Sequence, residues 1–155
     1  MEHEDTRLAS PDQLAAAHAT LVERLPIWKC ELQANWNDVG STYWFGVMSK
    51  AIALCEIVVA GCGQHLLGRP DEKKRTMGQW VNVIKGASSK LPASVEGQEA
   101  FLILLTQMLT LRNDFVHRAF TVSGVGFALE FLDYCEQFAD SEVVVHMARP
   151  FSDPA

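Results

Sequence analysis

The stretch VMSKAIALCEIVVAGCGQHLL, Val47 to Leu67, decides how the chain folds. Met48, Ala51, Ile52, Cys55, Val59, Cys62 and Leu66 recur every three or four residues, the period of a helix with one wide apolar face, and no two-residue alternation competes with it. Gly68-Arg69-Pro70 stops the pattern, since proline cannot continue a helix and glycine accepts the conformation that ends one. The run approaches membrane-spanning length but carries Lys50, Glu56, Gln64 and His65, so it reads as the central helix of a soluble protein. Gly61 and Gly63 lie inside it without the spacing of a phosphate-cradling loop, and their expected use is close helix packing.

Working outward, Ser10-Pro11-Asp12-Gln13 has the parts of a helix start: a serine cap, proline at the first helical position and a glutamine to close a capping box. The helix carries Leu14, Leu21 and Leu25 to Pro26, which kinks or ends it, with a continuation through Trp28, Cys30 and Leu32. NWNDVGSTYWF, residues 35 to 45, is rich in turn formers and reads as a loop. On the other side, Thr76-Met77-Gly78-Gln79 is a second capping box, opening a short helix with Trp80, Val81, Val83 and Ile84 that ends near Gly86. Ser94 is the cap of a long helix reaching about Phe120. A last helix follows Ser123-Gly124, with Phe127, Phe131, Tyr134, Cys135 and Phe138 on one face, and Val143-Val144-Val145 reads as its extension in preference to a short strand. The expected architecture is all-α, an antiparallel up-and-down bundle of four to five helices. Residues 10–148 form one domain between a loose N-terminus, residues 1–9, and a loose tail, residues 149–155.

A 155-residue chain with 48% hydrophobic and 21% charged residues can bury one substantial core. The net charge of −6 excludes a broad nucleic-acid-coating surface and leaves room only for a local basic site. Cys30, Cys55, Cys62 and Cys135 form no CxxC pair and read as reduced thiols of a cytoplasmic protein. His18, His65 and His146 lack Cys or acidic partners at ligand spacing, so neither a metal nor another cofactor is expected. Trp28, Trp36, Trp44 and Trp80 read as core or interface aromatics, and Asp71-Glu72-Lys73-Lys74-Arg75 as a solvated helix entry.

One helix breaks its own pattern. At 100° per residue, Phe101, Leu105, Met108, Phe115 and Ala119 form a stripe widened by Leu102, Leu109 and Val116, and Arg112 falls in the middle of it. Asn113 and His117 lie together on the flank beside Thr106 and Thr110, while Asp114 and Arg118 point toward solvent. A guanidinium on an apolar face keeps its charge and must meet an anion or water. It either pairs internally with Glu56, the acid within the apolar run, or faces a cleft or a second subunit and binds phosphate with Glu56 orienting it. A neutral imidazole beside such a cation, as His117 would supply, can move the protons of phosphodiester cleavage without a metal.

The segment Arg112-Asn113-Asp114-Phe115-Val116-His117 on a long helix of a small all-α chain resembles the motif of the HEPN superfamily. So do the acid in an earlier apolar helix (Glu56), the Gly68 to Pro70 break and the short Thr-Met-Gly-Gln-Trp helix, over roughly residues 45 to 140. The resemblance implies a metal-independent endoribonuclease, of toxin or antiviral-defence type, working as a homodimer whose two motifs share one composite site. His117 would be the acid/base at the 2′-hydroxyl or the leaving 5′-oxygen, Arg112 would stabilise the phosphorane, and Asn113 would position the phosphate or the histidine. The products would be a 2′,3′-cyclic phosphate and a 5′-hydroxyl. One branch of the superfamily carries, two residues after the motif histidine, a tyrosine that its antitoxin adenylylates; here Ala119 stands there. Other members are binding or regulatory modules, so the alternative expectation is a non-catalytic dimer that binds RNA, a nucleotide or a protein partner such as an antitoxin.

Overall fold

The computed structural model describes residues 11–34, 43–68, 75–118 and 124–152. Among these the chain is all-α, with helices α1 (Pro11–Ala34), α2 (Tyr43–Leu67), α3 (Met77–Gly86), α4 (Val95–Arg118), α5 (Gly124–Ala139) and α6 (Glu142–Ser152), and a single 3-10 turn at Ser88–Lys90. α2 is the centre: it packs against α1, α3 and α5, and buries Met48, Ala51, Ile52, Cys55, Val59, Cys62 and Leu66, the residues of its sequence stripe. By length and composition it is the one described helix able to cross a membrane, yet half of its most apolar window is buried inside the fold.

Two glycines let neighbours approach α2 closely. A Cβ on Gly61 would stand 2.6 Å from Leu14 Cδ1 of α1, and one on Gly63 would stand 2.3 Å from Trp80 Cε3 of α3. Real Cβ atoms do not come that near, so the sequence spends helix propensity at both positions to gain packing density. Between α2 and α5, Cys55 and Cys135 place their sulfurs 3.5 Å apart in a thiol–thiol contact. Cys55, Cys62 and Cys135 are buried free thiols, whereas Cys30 is exposed and takes no part in the core. α1 is tied to α5 by Lys29, whose ammonium lies 2.6 Å from Asp133 and 2.8 Å from Glu136. Hydrogen bonding to those two carboxylates holds the Lys29 pKa above its ordinary value.

The helix boundaries follow their local signals at several points. Thr76 closes the expected capping box with Gln79, Ser94 Oγ accepts from the Gly97 N–H at 3.1 Å, and Gly68, at φ +68°, ends α2 in the left-handed conformation. Helix α1 runs through Pro26 to Ala34. Pro26 and Val22, whose carbonyl the missing N–H would have bonded, both face solvent, where water can serve that oxygen. α2 begins at Tyr43, so the last residues of the expected 35–45 loop are helical, and Ser10 and residues 35–42 lie outside the described residues.

The valine run corrects the sequence reading, and with it the count of four to five helices. It does not extend α5: the chain turns at Asp140–Ser141 and starts a sixth helix. Ser141 Oγ donates to the Phe138 carbonyl at 2.7 Å and accepts from the Val144 N–H at 3.3 Å, ending one helix and capping the next. The turn lets Val143, Val144, Met147 and Ala148 bury beside α1, which a straight continuation would carry away from the core. α6 continues to Ser152, so residues 149–152, expected in a loose tail, are helical.

Candidate functional site

Helix α4 buries Phe101, Leu105, Met108 and Phe115, as its stripe requires, with Leu102 and Leu109 at the margin. Val116, assigned to the same apolar face, is instead 49% exposed. The main neighbours of α4 are α3, α5 and α6 together with the 3-10 turn, and α2 is not among them. Side chains at the C-terminal end of α4 nonetheless reach α2. Arg112 reaches Glu56, and Phe115 reaches Trp44 and Phe45.

The guanidinium of Arg112 is fixed on two sides. Its Nε and NH2 donate to the same carboxylate oxygen, Glu56 Oε2, at 3.0 and 2.9 Å, and NH1 donates to Asn113 Oδ1 at 3.0 Å. The side chains of Arg112 and Glu56 are 21% and 35% exposed, so the pair is neither sealed in the core nor free on the surface. Of the five N–H donors of a guanidinium, these bonds occupy three, leaving two for an incoming oxygen. Glu56 thus fulfils the pairing role expected of it, and it does so while holding the planar cation in one orientation.

Asn113 is half-buried, and its carbonyl oxygen is committed to Arg112. His117, one turn further along, is exposed. The two do not hydrogen-bond each other, although their spacing permits it. Thr106 and Thr110, on the same flank, turn their hydroxyls inward to the Leu102 and Thr106 carbonyls at 2.9 and 3.0 Å. Their hydroxyl protons are thus committed to the helix backbone. Asp114, expected to face solvent, is half-buried, while Ala119 and residues 69–74 lie outside the described residues.

The site also contains what the sequence reading had placed in a loop. Phe45, at the start of α2, packs on Phe115 with ring centroids 4.8 Å apart, and Trp44 meets both edge-on at 5.7 and 6.0 Å. The Tyr-Trp-Phe triplet, residues 43 to 45, was the available signal: a run of aromatics directly before a helical stripe is a natural first turn.

The other candidates have structural explanations. Trp28 and Trp80 are core residues, with Arg24 and Arg75 over their rings at 6.0 and 5.2 Å. His18 Nε2 donates to the Ala139 carbonyl at 2.9 Å, satisfying an acceptor at the end of α5. No cluster of His, Cys, Asp or Glu suited to a metal ion occurs among the described residues. Compared with known proteins, the chain matches no family model, no curated protein and no solved structure.

Proposed function

We propose that the protein is a cytoplasmic, homodimeric endoribonuclease of HEPN type that cleaves RNA without a metal ion. The observation that carries this reading is the Arg112 guanidinium, oriented by Glu56 and Asn113, still partly open to solvent and just over one helical turn from the exposed His117. In the reaction, neutral His117 removes the 2′-hydroxyl proton, and the 2′-oxygen attacks the adjacent phosphorus. The two uncommitted N–H groups of Arg112 take up the charge that builds on the phosphorane oxygens. The imidazolium of a second copy gives its proton to the departing 5′-oxygen, so proton removal and proton delivery balance across a dimer. The products are a 2′,3′-cyclic phosphate and a 5′-hydroxyl.

One observation favours a second reading. Glu56 already neutralises Arg112, as a binding or regulatory module without chemistry would tolerate. The test separates the two. Purified protein is incubated with structured RNA in EDTA beside the His117→Ala variant, and the ends of any products are identified. Cleavage to cyclic phosphate that disappears in the variant supports the nuclease. Intact RNA, or cleavage that survives in His117→Ala, overturns it.

A further inference from the structure

Phe45 is 40% exposed, yet it does not hang free. Its ring rests on buried Phe115 and is braced by the edge of Trp44, so its orientation is set before anything binds. The next residue, Gly46, has no side chain, and a Cβ built there would meet no atom within 4 Å, which leaves the approach to the ring open. Tyr43, the other exposed aromatic nearby, is engaged: its hydroxyl donates to Glu31 of α1. Among the described residues of this region, the accessible π-face braced on two sides therefore belongs to Phe45. It lies at the same end of α4 as Arg112: Phe115, on which it rests, sits three residues after Arg112, a spacing that makes the two side chains neighbours on the helix, whereas His117, two residues further on, is turned to another face.

An open aromatic face resting on a helical neighbour of the cation suits one ligand chemistry in particular, an unpaired nucleobase whose own backbone reaches on to the cation. Every base has a π-face, so stacking is tolerant of sequence, whereas a base held in a duplex cannot reach the ring. We infer that Phe45, supported by Phe115 and Trp44, is the stacking platform for an unpaired base flanking the phosphate that Arg112 receives. This inference rests on the nuclease reading for the position of the phosphate. It assigns Phe45 a positioning role and gives it no part in proton transfer.

The test uses a labelled 2′-O-methyl oligonucleotide, which lacks the attacking hydroxyl and cannot be cleaved, together with versions carrying one abasic position walked along the strand and a blunt duplex of the same sequence. Binding is measured by fluorescence anisotropy for wild type, Phe45→Leu and Phe45→Tyr, each with its melting temperature recorded to establish folding. Phe45→Leu is expected to weaken single-strand binding about 5- to 150-fold, and Phe45→Tyr to retain it. One abasic position should cost wild type a similar factor and cost Phe45→Leu nothing more. Unchanged affinity in folded Phe45→Leu, additive losses, preference for the duplex, or no binding by wild type would each overturn the proposal. Cleavage of the all-ribose strand is followed in parallel. His117-dependent cleavage indifferent to Phe45 removes the platform and leaves the nuclease; base-dependent binding without cleavage removes the nuclease and leaves a single-strand binding site.

Discussion

Replacing Arg112 by alanine, Glu56 by glutamine, and then both, isolates the interaction on which the site turns. Fully buried pairs lose about 3–5 kcal/mol when one partner is removed, and exposed pairs are worth about 0.2–1 kcal/mol. With side chains 21% and 35% exposed, and two donors converging on one carboxylate oxygen at 2.9 and 3.0 Å, this pair lies between those limits. Arg112→Ala removes those bonds and the one to Asn113, for an expected loss of about 2 kcal/mol. In a chain of this size that loss lowers the melting temperature by about 4–8 °C. Glu56→Gln keeps the shape and an acceptor but loses the charge, and should cost about 1 kcal/mol. The double variant should show a coupling of about 1 kcal/mol by urea denaturation at constant slope. RNA cleavage should fall at least about 100-fold in Arg112→Ala, as for loss of a group that stabilises a transition-state oxyanion. A coupling above about 3 kcal/mol with unchanged cleavage would make the pair a structural clamp. A coupling near zero would mean that Glu56 does not hold the guanidinium.

Two further outcomes follow from packing and burial. Gly63→Ala should destabilise by about 1–3 kcal/mol despite the better helix propensity of alanine, because its Cβ would stand 2.3 Å from Trp80. Gly46→Ala, with open space around the new Cβ, should be neutral or stabilising, and equal thermal shifts for the two variants would refute the packing argument. Burial pushes the Cys62 thiol from its ordinary 9.0 up to about 12 and raises Cys135 in the same direction. Between about pH 9 and 12 the unfolded chain therefore releases thiol protons that the folded chain keeps. Stability falls as pH rises through that window, by about 1.4 kcal/mol per pH unit from Cys62 alone, and this contribution is flat below it. Urea midpoints from pH 7 to 10.5 for wild type and Cys62→Ala measure the slope, and equal slopes would contradict the assignment.

The sequence by itself determined the helical class and most helix ends, because those depend on neighbours a few residues away. The stripe of α2, the Thr76–Gln79 capping box, the Ser94 cap and the Gly68 stop all carry their physics locally. Even the Arg112–Glu56 pair was legible, since a guanidinium on an apolar stripe must find an anion and the central helix offered an acid there. Tertiary structure decided what rests on distant surfaces. Pro26 stays inside α1 because its carbonyl partner faces water, which the local sequence does not reveal. The choice of a turn at Asp140–Ser141 over an extension of α5 followed from the need of Val143, Val144 and Met147 to bury beside α1. The meeting of Phe45 with Phe115, seventy residues apart, was likewise outside the reach of local pattern. Periodicity records which face of a helix is apolar; only the packing of the other helices fixes which residues complete a site on it.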